Sequence, residues 1–479
     1  MEQMDLKKFY KEIRCHDASE VFAGLRGFSK QNFLLESLDV SHIYGRLSLI
    51  GIDPVLEIRG KGNEYSVKAL NGRAEGYLKE FNFPLEGVIE KDMGELEEGE
   101  RSKRKNIANV LRKFLETFKR EGKDFVGLYG AFSYDFIRLF EDIPSLLPDG
   151  EVDDFRLCLY DTFVFFDHLK REVEIVAYRG SAEEGDAAIE EVFNALDSYE
   201  SGDDFKIVDP RFDLDEKEYE GLVENARDLA KRGELFEVVY SNNLRSKFAG
   251  DTFALYKRYR EINPSPYLFY FDFEDEQLIG ASPEMMVRCE EGLVHMRPIS
   301  GTARRGKDPI EDHENMLALL GSEKERAELD MLIDLGRNDL ARICEPGIEV
   351  SDYRFVEKYS KVMHTVAHVS GHLRSEFTAL DALIACMNAG TLTGAPKVAA
   401  MTEIEKNESS RRGYYGGAIG YLTFSGDMDT GIIIRTAHIR DGRLSFRVGA
   451  TLLYDSDPSA EYQETISKAS AFLTTIGHV

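Results

Sequence analysis

YYGGAIGYLTFSGDMDTGIIIRTAHIRDGRLSFRVGATLLY, residues 414–454, is rich in β-formers and punctuated by glycine. Its β-rich runs are separated by two turn signals, SGDMD at 425–429 and Asp441–Gly442. An Asp-Gly pair between alternating runs is a strong hairpin signal, so this end of the chain reads as an antiparallel meander. Strand alternation across GIIIRTAHI places Ile433, Arg435, Ala437 and Ile439 on one face. Outward from this stretch, EKEYEGLVENARDLAK predicts a helix over 216–231, LFEVVYSNNLR a strand over 235–245, and NPSPYLFYFDF (263–273) a turn into a strand. In the first half, 45–60 and 157–179 are β-rich, and SAEEGDAAIEEVFNALDS (181–198) is an acidic helix. Strands interleaved with a few long helices predict the α+β class rather than a doubly wound parallel sheet. The polar stretch 200–215 marks a boundary between a region 1–205 and a region 215–479. LYGAFSYDF (128–136) faintly echoes YGGAIGYLTF (415–424).

The chain has 479 residues, with 60 Lys and Arg against 87 Asp and Glu, a net charge of −27. A field of that sign argues against a nucleic-acid partner. It does not exclude a small anionic substrate, which needs only a local cluster of Arg and backbone N–H groups. Five cysteines, at 15, 158, 289, 344 and 386, show no C-x-x-C and no zinc-finger spacing, which reads as reduced thiols in a cytoplasmic protein. The N-terminus, MEQMDLKKFYKEIRCHD, is too charged for a signal peptide. No apolar run approaches the roughly 20 residues that span a bilayer.

Several constellations carry chemistry. SEKERAELDMLIDLGRNDLAR (322–342) is a helix with Ser322 as N-cap and Glu325 placed to complete a capping box. Glu325 and Glu328 share a face that continues into Leu332 and Leu335. DPSAEYQETISKASAFL (457–473) repeats the pattern with Glu461 and Glu464, after an Asp457 cap and Pro458. Either these are a capping residue and surface charges, with Glu464 bonding Lys468, or the two pairs face each other. Four converging carboxylates would call for a divalent cation, and oxygen-only ligands suit Mg²⁺. Arg435 lies near a sheet edge or bonds a buried anion. PISGT (298–302), AGTLTGAPK (389–397) and Gly449–Thr451 are glycine-containing turns that let a backbone approach a ligand. His364, His368 and His372 would form a stripe on a helix, but β-branched neighbours and Gly371 favour a strand or irregular segment. Glu284, taken alone, is a charge at a strand start.

In series, IGASPE, PISGT, DLGRNDLARICEPG, YSKVMHTV, ACMNAGTLTGAPKVAAM, YGGAIGY and GDMDTGIIIRTA resemble the chorismate-utilising enzymes, most closely the large synthase subunits of anthranilate synthases. The resemblance is dense over about 215–479; LLES (34–37) and the strand around 127–135 extend it into the first half. It implies antiparallel sheets sandwiched with flanking helices, and the reaction of chorismate with ammonia to anthranilate and pyruvate. It implies Mg²⁺ on Glu325, Glu328, Glu461 and Glu464, with Glu328 and Glu464 as direct ligands. Glu284 matches the acid that protonates the departing hydroxyl, His364 the histidine needed for pyruvate loss, and Thr391 a residue beside the ring. Gly301, Thr302, Tyr415, Arg435, Gly449, Ala450 and Thr451 match positions that hold the substrate carboxylates. Glu36, Ser37, Pro266, Tyr267 and Leu268 match segments that cradle a tryptophan inhibitor.

Departures from the pattern are Ser300 in place of alanine in PIAGT, and Thr451. A third is Glu237, where such subunits usually have glutamine and isochorismate synthases a lysine base. No G-x-C-x-G glutaminase motif is present, so the resemblance implies a separate glutamine amidotransferase subunit, in a hetero-oligomer, or free ammonia. The alternatives are an enzyme that stops at 2-amino-2-deoxyisochorismate, an aminodeoxychorismate synthase, and a non-catalytic tryptophan-binding regulator.

Overall fold

A computed structural model describes residues 6–14, 17–38, 47–196, 204–359 and 362–478. Two antiparallel sheets of 12 strands each, flanked by helices, form the α+β architecture. In the first sheet, five adjacent strands from before residue 205 end at Asn32–Glu36, which pairs with Tyr267–Asp272 from the later region. In the second, the seam is Gly127–Phe132 against Ala418–Thr423. Both sheets therefore contain strands from both regions. The stretch expected as a boundary is in part strand, Phe205–Phe212; residues 197–203 lie outside the described residues.

The two segments that echo each other in sequence are the seam of the second sheet. Gly130 lies opposite Gly420, and both have φ near +154°. A Cβ on Gly130 would stand 2.1 Å from the Arg156 carbonyl oxygen, and one on Gly420 2.0 Å from that of Asp429, so only glycine fits either position.

Alternation builds the layers. Phe33, Leu49 and Phe163 face the core between the sheets, while Leu34, Ile50 and Val164, each one residue on, face a second core under helices. Both faces of these strands are buried, which is why they read as continuous apolar runs. Phe33 stacks on Tyr129 of the opposite sheet at 4.7 Å and on Phe271 at 5.1 Å, locking the sheets face to face. Among the described residues, no helix is long and apolar enough to cross a membrane.

The meander differs from its reading in one place. GIIIRTAHI is two strands, not one: Met428–Ile432 belongs to the second sheet and Thr436–Arg440 to the first. Arg435 is the corner between them, at φ +51°.

Candidate active site

The helix Glu323–Ala341 starts as expected, with the Ser322 hydroxyl accepting the Glu325 N–H at 3.2 Å. The reciprocal half of the capping box is not made: the Ser322 N–H donates to the Leu319 carbonyl. Glu325 turns instead toward Gly301, where a Cβ would meet its Oε2 at 2.7 Å. Glu328 is half-buried, and its carboxyl is pushed up by burial, then by Glu325 on its own helix and by Glu464 across the gap. Further along, Leu335 and Leu332 pack against Gly390, so this face runs from the carboxylates to the segment carrying Thr391.

The second carboxylate helix, Pro458–Thr475, has the predicted Asp457 cap, which accepts the Ala460 N–H at 2.9 Å. Glu461 accepts from Ser456 at 2.7 Å, and burial and Glu464 raise its carboxyl. Glu464 pairs with Lys468 at 2.8 Å, as its spacing predicted. The same ammonium donates to the Gly449 carbonyl at 2.9 Å. The two pairs thus face each other within electrostatic reach. Among the described residues, no three His, Cys, Asp or Glu side chains are gathered closely enough to hold a metal ion. Facing carboxylates that offer only oxygen donors have the chemistry of a Mg²⁺ site.

Glu284 follows the strand Glu276–Ser282, and its backbone is fixed by N–H donation to Ser282 Oγ (3.3 Å) and by the Ile432 N–H on its carbonyl (3.0 Å). Burial pushes its carboxyl up to about 7, against the Thr391 hydroxyl bond and the fields of Lys468 and Arg435. Thr391, on the short helix Gly390–Thr393, donates to Glu284 Oε1 at 3.0 Å. Arg435 makes no ion pair among the described residues; its backbone carbonyl is held by Tyr259 and Ala281. Burial disfavours its charge, and Tyr259 and Glu284 only partly restore it. A buried guanidinium without a counter-ion is costly unless an anion answers it.

The glycine segments are mostly not turns. Gly301 is the left-handed residue (φ +69°) of a bulge in the strand Ile299–Arg304. Gly449, Ala450 and Thr451 lie within the strand Arg443–Leu452, paired with Ser241, Tyr240 and Val239. A Cβ on Gly449 would stand 2.9 Å from the Tyr415 hydroxyl and 2.7 Å from the Tyr240 carbonyl, so glycine is what allows Tyr415 to close on this strand. The Ala450 N–H faces the Tyr219 hydroxyl at 3.3 Å rather than a ligand.

His364 lies in the strand Val362–His372, opposite Thr302. Its Nδ1 is 2.9 Å from the Gly301 carbonyl and 3.0 Å from Thr302 Oγ1. A carbonyl only accepts, so Nδ1 carries the proton and Nε2 the lone pair. Burial lowers the ring's pKa, with Gly301 opposing, so the ring is neutral at pH 7. His368 pairs with His295 at 2.9 Å instead. Ser360 and Lys361 of YSKVMHTV lie outside the described residues.

Glu237, noted in the sequence only as a departure, is a further part of the site. It is 2% exposed, its Oε1 has no hydrogen-bond partner, and burial and Glu328 push it up to about 7. The Lys468 bond to Gly449 was also missed: the i+4 spacing to Glu464 gave its salt bridge but not its long-range acceptor.

The inhibitor-matching residues form a separate cluster on the Asn32–Glu36 and Tyr267–Asp272 ladder. Glu36 is occupied, accepting from Tyr256 at 2.5 Å and from Arg260 twice at 2.8 Å. Ser37 is half-exposed, while Pro266 and Leu268 are buried; the Tyr267 hydroxyl donates to Asp429 at 3.0 Å.

Facing carboxylate pairs, an arginine without a counter-ion, an acid with a raised pKa and a neutral histidine are gathered in one region of the molecule. The chain belongs to the chorismate binding enzyme family, whose sequence profile matches residues 74–474. It is 38% identical over 474 residues to anthranilate synthase component 1 of Aquifex aeolicus, covering 95% of this chain and 91% of that protein. It is 34% identical over 475 residues to the component 1 protein of Methanothermobacter marburgensis, covering 99% and 96%. The crystal structure of anthranilate synthase component I from Streptococcus pneumoniae superposes with a TM-score of 0.75 at 33% identity, covering 90% of this chain and 93% of that one.

Proposed function

We propose that the chain is the synthase component of an anthranilate synthase, a lyase converting chorismate and ammonia to anthranilate and pyruvate, the first step of tryptophan biosynthesis. The observation that carries this reading is Glu284: an acid with a pKa of about 7, held by Thr391, next to an arginine with no counter-ion. Arg435 binds a substrate carboxylate, with Tyr415 and the Gly449 strand closing around the ring. Glu284 gives its proton to the C4 hydroxyl, which leaves as water as ammonia bonds to C2. The product of that step is 2-amino-2-deoxyisochorismate. His364 Nε2 then takes the C2 proton as the enolpyruvyl C–O bond breaks, and the departing enolpyruvate is protonated to pyruvate. Gly301 and Thr302 keep the imidazole in the tautomer this needs.

A Mg²⁺ held by Glu328 and Glu464, with Glu325 and Glu461 beside them, would supply positive charge at the ring carboxylate. Ammonia comes from a glutamine amidotransferase subunit, and tryptophan inhibits at the Ser37 cluster; the names of the component 1 relatives support a partner component. The reading is tested by anthranilate fluorescence with the purified chain. Chorismate, Mg²⁺ and ammonium should give product, and glutamine alone should not; undiminished turnover in excess EDTA would refute the metal's part.

A further inference from the structure

A cavity of about 550 Å³ lies at one end of the first sheet, a size that holds a small molecule. Strand alternation builds it. Leu244, Ile439 and Phe446 turn toward the helix-side core, and residues of the opposite strand face, including Lys247, Arg440, Arg443 and Arg447, line the cavity. The loops 148–152 and 409–413 wall it.

The register places like charges opposite each other three times. Arg211 faces Arg245, Lys247 faces Arg443, and Arg443 also faces Arg440. Like charges directly across an antiparallel ladder destabilise it. They are the more unexpected in a chain of net charge −27. Some are answered within the protein: Arg245 by Asp213 at 2.8 Å, Arg443 by the exposed Glu151 at 3.1 Å, and Arg447 by buried Glu408 at 3.2 Å. Arg211 and Lys247 have no carboxylate partner among the described residues. Asn243 at the cavity floor is 3% exposed. Its Oδ1 accepts from Ser445 at 2.9 Å, and its Nδ2 donates to no described group. Arg211 and Lys247 are exposed, and together with the unpartnered Asn243 amide they present positive charge and N–H donors to an acceptor-rich anion.

We propose that this cavity binds a small molecule carrying clustered phosphate groups. Neighbouring strands are about 4.8 Å apart, so cations on successive strands meet several closely spaced charges at once, which a lone carboxylate does not offer. The cavity's lining includes Tyr415 but none of Glu284, Thr391, His364, Arg435 or the four helix carboxylates.

Pyrophosphate is the probe, titrated calorimetrically into the full chain, with sulfate at matched ionic strength as control. Pyrophosphate should bind at one site per chain, tighter than sulfate, and raise Tm. The double variant Arg211→Glu, Lys247→Glu turns two like-charge pairs into opposite ones. It should weaken pyrophosphate at least tenfold, hold or raise the ligand-free Tm, and leave ammonium-dependent turnover unchanged. Equal binding of sulfate and pyrophosphate, unchanged affinity in the variant, or a lower ligand-free Tm would overturn the proposal. So would capture of polyglutamate without any pyrophosphate binding, which would make the face a dock for an acidic protein segment.

Discussion

Glu284 and Thr391 make a contact whose sign can be tested. The threonine hydroxyl donates to the carboxylate and so favours the charged form, opposing the burial that raises the pKa to about 7. Thr391→Val removes that bond, so the pKa should rise further. A general acid works protonated, so the alkaline limb of kcat/KM for chorismate, near pH 7 in the wild type, should move to higher pH in the variant. The profile is measured at constant free ammonia; a limb that stays or moves down contradicts the assignment. Glu284→Gln should lose roughly 10²–10⁴-fold in rate. At this scale the sequence was legible in identity but not in environment. Arg435 stood out as an arginine in an apolar run, yet alternation put it inside one strand. The chain instead changes sheets there, with Arg435 at φ +51°. That corner is set by which sheet each flank joins, a long-range choice that no local pattern contains. Glu237 shows the same limit, because its burial and its nearness to the like charge of Glu328 arise only in the folded chain.

The two carboxylate helices were read closely, because caps and i, i+3 spacing are local: both N-caps fall where Ser322 and Asp457 predicted. The glycine segments look like turns in sequence because a bulge or a tightly covered strand uses the same residues. Gly301 couples the two kinds of element, as its bulge holds His364 on one side and touches Glu325 on the other. Gly301→Ala should cost on the order of 1–3 kcal/mol from its left-handed backbone and displace Glu325. Urea unfolding and Mg²⁺ titration should both respond; a variant with wild-type stability and metal affinity would uncouple them. Glu328→Gln should abolish turnover and weaken Mg²⁺ binding without lowering Tm, because burial and two carboxylates disfavour its charge when no metal is bound.

Over the whole molecule, the class was legible from strand and helix order, but the interleaving of the two regions was not. The 200–215 stretch has linker composition, yet part of it is the edge strand Phe205–Phe212. Both sheets cross from one region to the other, so neither region closes its sheets alone. Phe33, at the seam and fully buried between the sheets, tests this: Phe33→Ala should cost about 3–5 kcal/mol in a single cooperative urea transition. A selective loss of only the 1–205 region would contradict a shared core. The inhibitor cluster lies on the same seam, and Glu36 is already committed to Arg260. Ser37→Phe puts a large ring at the half-exposed Ser37 position and should abolish the proposed tryptophan inhibition with little change in turnover; a fully inhibited variant would move the regulatory site elsewhere. In the proposed reaction one site performs amination with Glu284 and pyruvate loss with His364. The most direct measurement follows chorismate consumed, pyruvate and anthranilate together in wild type and His364→Met. Wild type should release pyruvate and anthranilate in equal amounts, and the variant should consume chorismate while releasing little of either. Equal release at wild-type rate by the variant would contradict the account.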